Sequence, residues 1–204
     1  MTTTNELFLR HKDSAGAYAR EYGRLLAQLL AELDYDAVER VAGAFDVARR
    51  AGRTIFLLGN GGSATTASHF VNDLAHGPYK EGCPPFRALS LSDNMSFFSA
   101  IANDCGYDKV FVNQLRTLMV PGDVVVGISA SGNSPNILEA LAYAARQGGV
   151  TVGLLGFDGG KAAELCRHAI LIRTPRGEYG LVESMHLVLD HMLASYLKCA
   201  MESE

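Results

Sequence analysis

Two sets of ionisable residues and one cluster of hydroxyls have the types and spacing to do chemistry in this sequence. His69 and Asp73 lie four residues apart in a stretch of helical composition, so an imidazole and a carboxylate stand one above the other on one helix face. Towards the C-terminus, LVESMHLVLDHML sets Glu183, His186, Asp190 and His191 into an otherwise apolar helix. His186 and Asp190, again at i, i+4, are expected to pair with each other at the surface. Glu183 and His191 are about 12 Å apart along the helix and about 80° apart around it, so they reach a common point only with extended side chains. If His69 and Asp73 meet them there, two imidazoles and two carboxylates form a donor set suited to tetrahedral zinc. Two satisfied histidines and two solvated carboxylates are the plainer alternative. Elsewhere, ISASGNSPN groups Ser129, Ser131 and Ser134, whose hydroxyls and neighbouring N–H groups make a neutral phosphate cradle without lysine.

These residues must be positioned by strands and helices, and the stretch from Thr54 to Gly77 shows how. Ile55, Phe56, Leu57 and Leu58 form a short apolar run expected to be a buried strand; Gly59-Asn60-Gly61-Gly62-Ser63 breaks it, and helical composition follows from Ala64. Ser63 sits where a helix N-cap belongs, with unpaired N–H groups and the positive end of a helix dipole behind it. Strand, glycine turn and helix together favour an anion, most often phosphate, although such turns are common in α/β proteins. The arrangement recurs from Val124 to Asn136, where a β-branched run feeds the serine-rich turn and a helix follows. Two such turns at strand C-terminal ends occupy the place where open parallel sheets bind ligands. Neither turn has the Gly-Lys-Ser/Thr of a Walker A loop or the spacing of a dinucleotide turn.

The remaining chain supplies the frame. Apolar residues recur at helical spacing from Glu6 to Leu33, as one long helix or two, and again from Asp34 to Arg50, with Asp36 as the expected N-cap and Gly52 as the stop. Helices ahead of the first strand cannot be sheet crossovers, so residues 1–52 must pack across the α/β core or against another subunit. A loop is expected from Pro78 to Pro85, then a strand from Phe86 to Leu91, a polar turn at Ser92-Asp93-Asn94, and two short helices broken at Gly106. Asn103-Asp104 is either a buried-turn pair or a contact for substrate hydroxyls. Strands at Asp123–Ile128, Val150–Gly156 and Ala169–Ile172 enclose a helix at Pro135–Gln147; a loop at Pro175–Gly180 leads to a last helix over Leu181–Met201. The β-α-β alternation predicts a three-layer, doubly wound, five-stranded parallel sheet in flavodoxin-like order.

Composition limits the function classes. A chain of 204 residues with 48% hydrophobic and 20% charged residues fits one ordinary soluble domain. No apolar run approaches a bilayer span, and the opening MTTTNELFLRHKDS lacks a secretory h-region, so a cytoplasmic protein without a membrane partner is expected. Cys83, Cys105, Cys166 and Cys199 show no CxxC spacing, which argues against a disulfide framework and a thiolate metal site. A net charge of −4 without a basic cluster makes a nucleic-acid groove unexpected. An anionic ligand would have to be held by local dipoles.

Taken together, Gly59-Asn60-Gly61-Gly62-Ser63, His69-Phe70-x-x-Asp73-Leu74, Asn103-Asp104, Gly127 to Ser134 and Glu183-x-x-His186-x-x-x-x-His191 resemble the sugar isomerase (SIS) domain family, in its phosphoheptose isomerase branch. The similarity runs from about Leu25 to the C-terminus. The resemblance implies conversion of sedoheptulose 7-phosphate to a heptose 7-phosphate aldose by a homotetramer with sites between subunits. It further implies that Ser63, Ser129, Ser131 and Ser134 hold the phosphate and that Asn60, Asp93, Asn94 and Asp104 line the sugar, with Gly61, Gly62 and Ala130 in the binding turns. His69, Asp73, Glu183 and His191 would be zinc ligands, and Asp73 and His191 the catalytic acid/base pair.

Two positions depart from the family pattern: Asp73 replaces a glutamate, and Glu183 stands where glutamine is usual. The first shortens a carboxylate arm by about 1.5 Å, enough to misplace a base; the second adds a negative charge at the implied metal. For an aldose–ketose isomerase a carboxylate and an imidazole suffice to move the protons, a zinc ion could polarise the carbonyl, and no redox cofactor is needed. The alternative is a non-catalytic module that binds a sugar phosphate or a protein partner in a regulatory role. Ionisable residues on both helices favour the enzyme.

Overall fold

The computed structural model describes residues 2–76 and 80–204. Gly77, which closes the strand–turn–helix stretch, and residues 78 and 79 of the expected loop lie outside the described residues. The N-terminal quarter is helical: α1 (Thr4–His11), α2 (Ala15–Ala31) and α3 (Tyr35–Arg50). Two helices therefore replace the single long alternative, because Ser14 caps α2 by accepting from the Ala17 N–H. At α3 the N-cap is Asp34, which accepts from the Ala37 N–H at 2.9 Å, so Asp36 falls in the first turn instead.

From there the chain follows the expected winding. β1 (Thr54–Gly59), α4 (Gly62–His76), β2 (Arg87–Ser90), α5 (Met95–Cys105), a 3-10 turn at Tyr107–Lys109 and α6 (Val112–Leu118) precede β3 (Val124–Ser129), α7 (Pro135–Arg146) and β4 (Val150–Gly156). A four-residue helix, α8 (Ala162–Leu165), which is too short to show periodicity, connects to β5 (His168–Ile172), and α9 (Tyr179–Glu202) completes the fold. All pairings are parallel and the sheet order is β2-β1-β3-β4-β5, the flavodoxin-like order.

Strand periodicity builds a core on each face of the sheet. Ile55, Leu57, Val124, Val126, Ile128, Val152 and Leu154 join Val41 and Phe45 of α3, Phe70 and Leu74 of α4, and Met185, Leu189 and Leu193 of α9. Phe56, Leu58, Val125 and Leu155 face the other way, onto Ile137, Leu141 and Ala144 of α7 and Phe111 and Leu115. Residues before the first strand are thus partly integral to the core: Leu29, Leu33, Val41 and Phe45 all belong to it. Among the described residues, no helix is long and apolar enough to cross a membrane.

Asp123 ties the N-terminal ends of β1 and β3 together. Its buried carboxylate accepts from the Thr54 N–H at 2.9 Å and the Val120 N–H at 2.8 Å. Asp123→Ala should lower stability by about 2–3 kcal/mol in urea unfolding, because both donors are left without their acceptor; an unchanged midpoint would contradict this role.

Candidate active site

The C-terminal ends of β1 and β3 carry the two turns that were expected to hold an anion. They are joined by a reciprocal amide pair: Asn60 Nδ2 donates to Asn136 Oδ1 at 3.0 Å, and Asn136 Nδ2 donates to Asn60 Oδ1 at 2.8 Å. The Tyr107 hydroxyl donates to Asn60 Oδ1 at 2.9 Å, holding the pair from the side. Within the second turn, the Ser129 hydroxyl accepts from the Gly132 N–H at 3.0 Å and the Ser131 hydroxyl from the Asn133 N–H at 3.3 Å. Gly132 has φ +60°, and a Cβ there would overlap the Gly159 carbonyl oxygen, so only glycine fits. Ser134 stands at the N-cap of α7 without capping it, ahead of Pro135, which leaves its hydroxyl available to a ligand.

The turns enclose a cavity of about 190 Å³ lined by Asn60, Ser63, Ser129, Ala130, Ser131 and Ser134, together with Tyr179 and Glu183 of α9. The four serines expected to hold the phosphate therefore converge with Ala130 and Asn60. Ser63 does so from inside the first turn of α4, not from its N-cap, because the helix already begins at Gly62. Gly61 and Gly62 form the turn itself. Asp93, Asn94 and Asp104 stand outside this lining. Asp93 accepts hydrogen bonds from Ser68 and, at 3.0 Å, from Ser90, which fastens the end of β2 to α4. Asn94 caps α5 by accepting from the Phe97 N–H, and Asp104 accepts from Asn103 at 2.7 Å at the exposed end of α5, so that pair is not a buried turn.

Further along α4, His69 and Asp73 face α9. His69 Nε2 lies 3.0 Å from His191 Nε2 and 3.5 Å from Asp73 Oδ2, while His191 Nε2 lies 3.7 Å from the same oxygen. The fourth group in reach is Asp190, whose Oδ2 is 3.9 Å from His69 Nε2. One donor atom from each of His69, Asp73, Asp190 and His191 lies within 4.8 Å of the others. Glu183 is elsewhere: a Cβ added to Gly62 would meet its carboxylate at 2.5 Å, which sets it at the start of α4, beside the cavity.

The expected surface pairing of His186 with Asp190 does not occur. Both are buried, and neither has a hydrogen-bond partner among the described residues. Burial pushes the His186 imidazole down to about 4. Asp190 is pushed up to about 7, first by burial and then by the charge of Asp73. Two imidazole nitrogens facing each other at 3.0 Å above a buried carboxylate without donors form a donor set that fits a divalent cation such as zinc. An open depression of about 440 Å³, bounded by Asn72, Asp73, His76, His191 and Lys198, gives solvent access to this cluster.

A parallel doubly wound sheet with an anion-sized cavity at its switch point and an acid–imidazole cluster two helical turns away defines a ligand-binding α/β domain with acid–base capability. The SIS domain family model matches residues 17–156, and the chain belongs to this family, in its phosphoheptose isomerase branch. It is 38% identical over 158 residues to the phosphoheptose isomerase of Trichlorobacter lovleyi, covering 76% of this chain and 78% of that one. Identity with the Rhodospirillum rubrum phosphoheptose isomerase is 36% over 165 residues, covering 81% and 86%. Among solved structures, the phosphoheptose isomerase from Neisseria gonorrhoeae superposes with a TM-score of 0.80 at 30% identity, covering 90% of this chain and 96% of that one.

Of the residues that matter here, sequence reasoning passed over Tyr179, Asn136 and Tyr107 and gave Asp190 another partner. The signal for Asp190 was its place beside His191; that for Tyr179 was its position one turn before Glu183.

The raised Asp190 and lowered His186 have opposite consequences for stability in metal-free protein. The fold favours neutral Asp190, so that contribution is lost as pH rises from about 4 to 7; it also favours neutral His186, so that contribution is lost as pH falls from 6.5 to about 4. Asp190→Asn removes only the first. In EDTA, its stability relative to the parent should increase by roughly 1–2 kcal/mol between pH 5 and pH 8, allowing for screening by water at the exposed His69 and His191. A difference that does not vary with pH would contradict the assignment.

Proposed function

We propose that this protein is an aldose–ketose isomerase that converts sedoheptulose 7-phosphate to D-glycero-D-manno-heptose 7-phosphate through an enediol. The observation that carries the reading is that one helix, α4, contributes both to the serine-lined cavity and to the acid–imidazole cluster. Ser63 and His69 are six residues apart, or about 9 Å along the axis. Six C–C bonds of about 1.5 Å, zigzagged, span on the order of 8 Å, so a seven-carbon chain anchored by its phosphate brings its reducing end to the cluster.

The cavity hydroxyls and the N-terminal ends of α4 and α7 bind the phosphate, and that remote binding orients the reacting carbons. Asp73 takes the proton from C1 beside the ketose carbonyl, giving the enediol, and a proton is returned to C2. His191, 3.7 Å from the Asp73 oxygen, moves the hydroxyl proton between the oxygens on C1 and C2. His69, Asp73, Asp190 and His191 would hold a zinc ion, which when bound supplies polarisation of the substrate carbonyl. Neither Asp73 nor His191 Nε2 can be ligand and proton carrier at once, so each would move a proton only while not bound to metal. A binding-only module would leave this cluster, with its buried Asp190, without a use, and that reading is not favoured.

Assembly as a homotetramer fits the apolar side chains that Phe8, Leu9, Tyr35, Val47 and Tyr196 expose on α1, α3 and α9. Residues 1–52 would then serve as a helical extension that packs between subunits as well as on the single SIS domain. A cytoplasmic location fits a phosphorylated substrate, which does not cross membranes unaided.

Asp73→Asn should retain sugar-phosphate binding but lose turnover by about 10²-fold or more, the scale expected for removing a general base. Steady-state kinetics with sedoheptulose 7-phosphate would check this; near-parental turnover would remove Asp73 from the role.

A further inference from the structure

The chain entering α9 is held from three sides at consecutive residues. Glu178 is buried and accepts from the Thr4 N–H at 3.0 Å; Thr4 opens α1, so this carboxylate takes one of the N–H groups that a helix leaves unpaired at its start. Phe157, just past the end of β4, packs edge-on to Tyr179 with ring centroids 5.1 Å apart, and does so at φ +53°, a conformation that costs any non-glycine residue energy. A Cβ added to Gly180 would lie 3.4 Å from the Tyr22 hydroxyl of α2. Between these supports Tyr179 stays exposed and lines the serine cavity. The hydroxyls of Tyr35 and Tyr107 donate to the Leu30 carbonyl and to Asn60 Oδ1, whereas that of Tyr179 has no partner among the described residues.

The two helices of the site run in the same sense, with His69 of α4 across from Asp190 of α9. Counted back from that contact, Tyr179 lies roughly 16 Å away along α9 and Gly62 roughly 10 Å away along α4. The phenol therefore stands about 6 Å beyond the start of α4, at the end from which unpaired N–H groups point, and far from the carbons that react. Among the described residues no lysine or arginine lines the cavity, so an anion there depends on neutral donors. We infer that the Tyr179 hydroxyl is a further phosphate ligand, donating to a phosphate oxygen, and that Glu178 is a positioning residue that holds it there by clamping α1 to the start of α9. The inference rests on the cavity being the phosphate seat proposed above. Packing already fixes the ring, so little side-chain freedom is lost on binding, and a hydrogen bond to an ionised phosphate is stronger than one between neutral groups.

The test combines inorganic phosphate binding by calorimetry with steady-state kinetics on sedoheptulose 7-phosphate, all on the full-length protein. Tyr179→Phe keeps the ring against Phe157 and removes only the hydroxyl. It should weaken phosphate binding about tenfold and raise KM by a similar factor, with kcat within about twofold of the parent, because the contact is the same in the ground and transition states. Glu178→Ala should weaken binding in the parent but add nothing in the Tyr179→Phe background, and Glu178→Gln, which keeps an acceptor for the Thr4 N–H, should restore most of the affinity. Unchanged phosphate binding by Tyr179→Phe, while Ser131→Ala/Ser134→Ala weakens it, would overturn the inference and leave the cavity reading standing. If neither variant weakens binding, the cavity reading falls and the inference with it. A loss of kcat at constant KM in Tyr179→Phe would overturn it by moving the phenol to the reacting carbons, and an equal effect of Glu178→Ala in both backgrounds would remove Glu178 from the positioning role.

Discussion

The seam between α4 and α9 is the constraint on which the site depends. Phe70 and Leu74 of α4 share one core with Val182, Met185, Leu189 and Leu193 of α9. Each such side chain contributes about 1.5–3 kcal/mol when fully buried, so the two helices are held far more firmly than any polar contact at the site could hold them. Glu183 meets Gly62, and seven residues on in each helix His69 meets Asp190. The helices therefore run side by side in the same sense, with two turns between the two contacts. A sheet order that places β1 between β2 and β3, with both helices over the same face, makes this possible. One packing decision fixes the cavity wall and the ionisable cluster together.

Polar order at the two ends of the seam is of different kinds. At the cavity the groups are largely satisfied: Asn60 pairs with Asn136, and Ser129 and Ser131 hold their own turn, so the cradle exists before a ligand arrives. At the cluster they are not. Asp190 is buried without a donor, and two imidazole nitrogens face each other although at most one proton can lie between them. An unsatisfied buried polar group costs about 1–3 kcal/mol, more when charged. Such a cost persists where the surrounding packing enforces it and where a ligand relieves it. The chain thus combines a preformed anion seat with a cation seat that is unfavourable when empty.

Much of this was legible in the sequence, for identifiable reasons. The apolar runs in TIFLLG and VVVGIS, broken by glycine and serine, announce both turns, because backbone geometry at a strand-to-helix turn allows few residue types. His69 and Asp73 were legible as a pair because i, i+4 spacing on one helix is local. Glu183, Asp190 and His191 were not separable, since helix spacing gives relative directions but not which face another helix will cover. The α4 seam puts Asp190 inward and leaves Glu183 at Gly62, two turns earlier. Ser68 and Ser90 both donate to one oxygen of Asp93, and that tertiary triangle has no sequence signature. The cap at Asp34 rather than Asp36 is a two-residue boundary shift of the ordinary kind.

The central claim is that a phosphate anchored at the Ser63–Ser134 cavity presents C1 and C2 of a ketose to the cluster on α4 and α9. Proton NMR of sedoheptulose 7-phosphate incubated with the protein in D2O tests it most directly. The account predicts appearance of the aldose with deuterium at C2, and no conversion of unphosphorylated sedoheptulose under the same conditions. Unchanged ketose phosphate, or equal conversion of the unphosphorylated sugar, would contradict it.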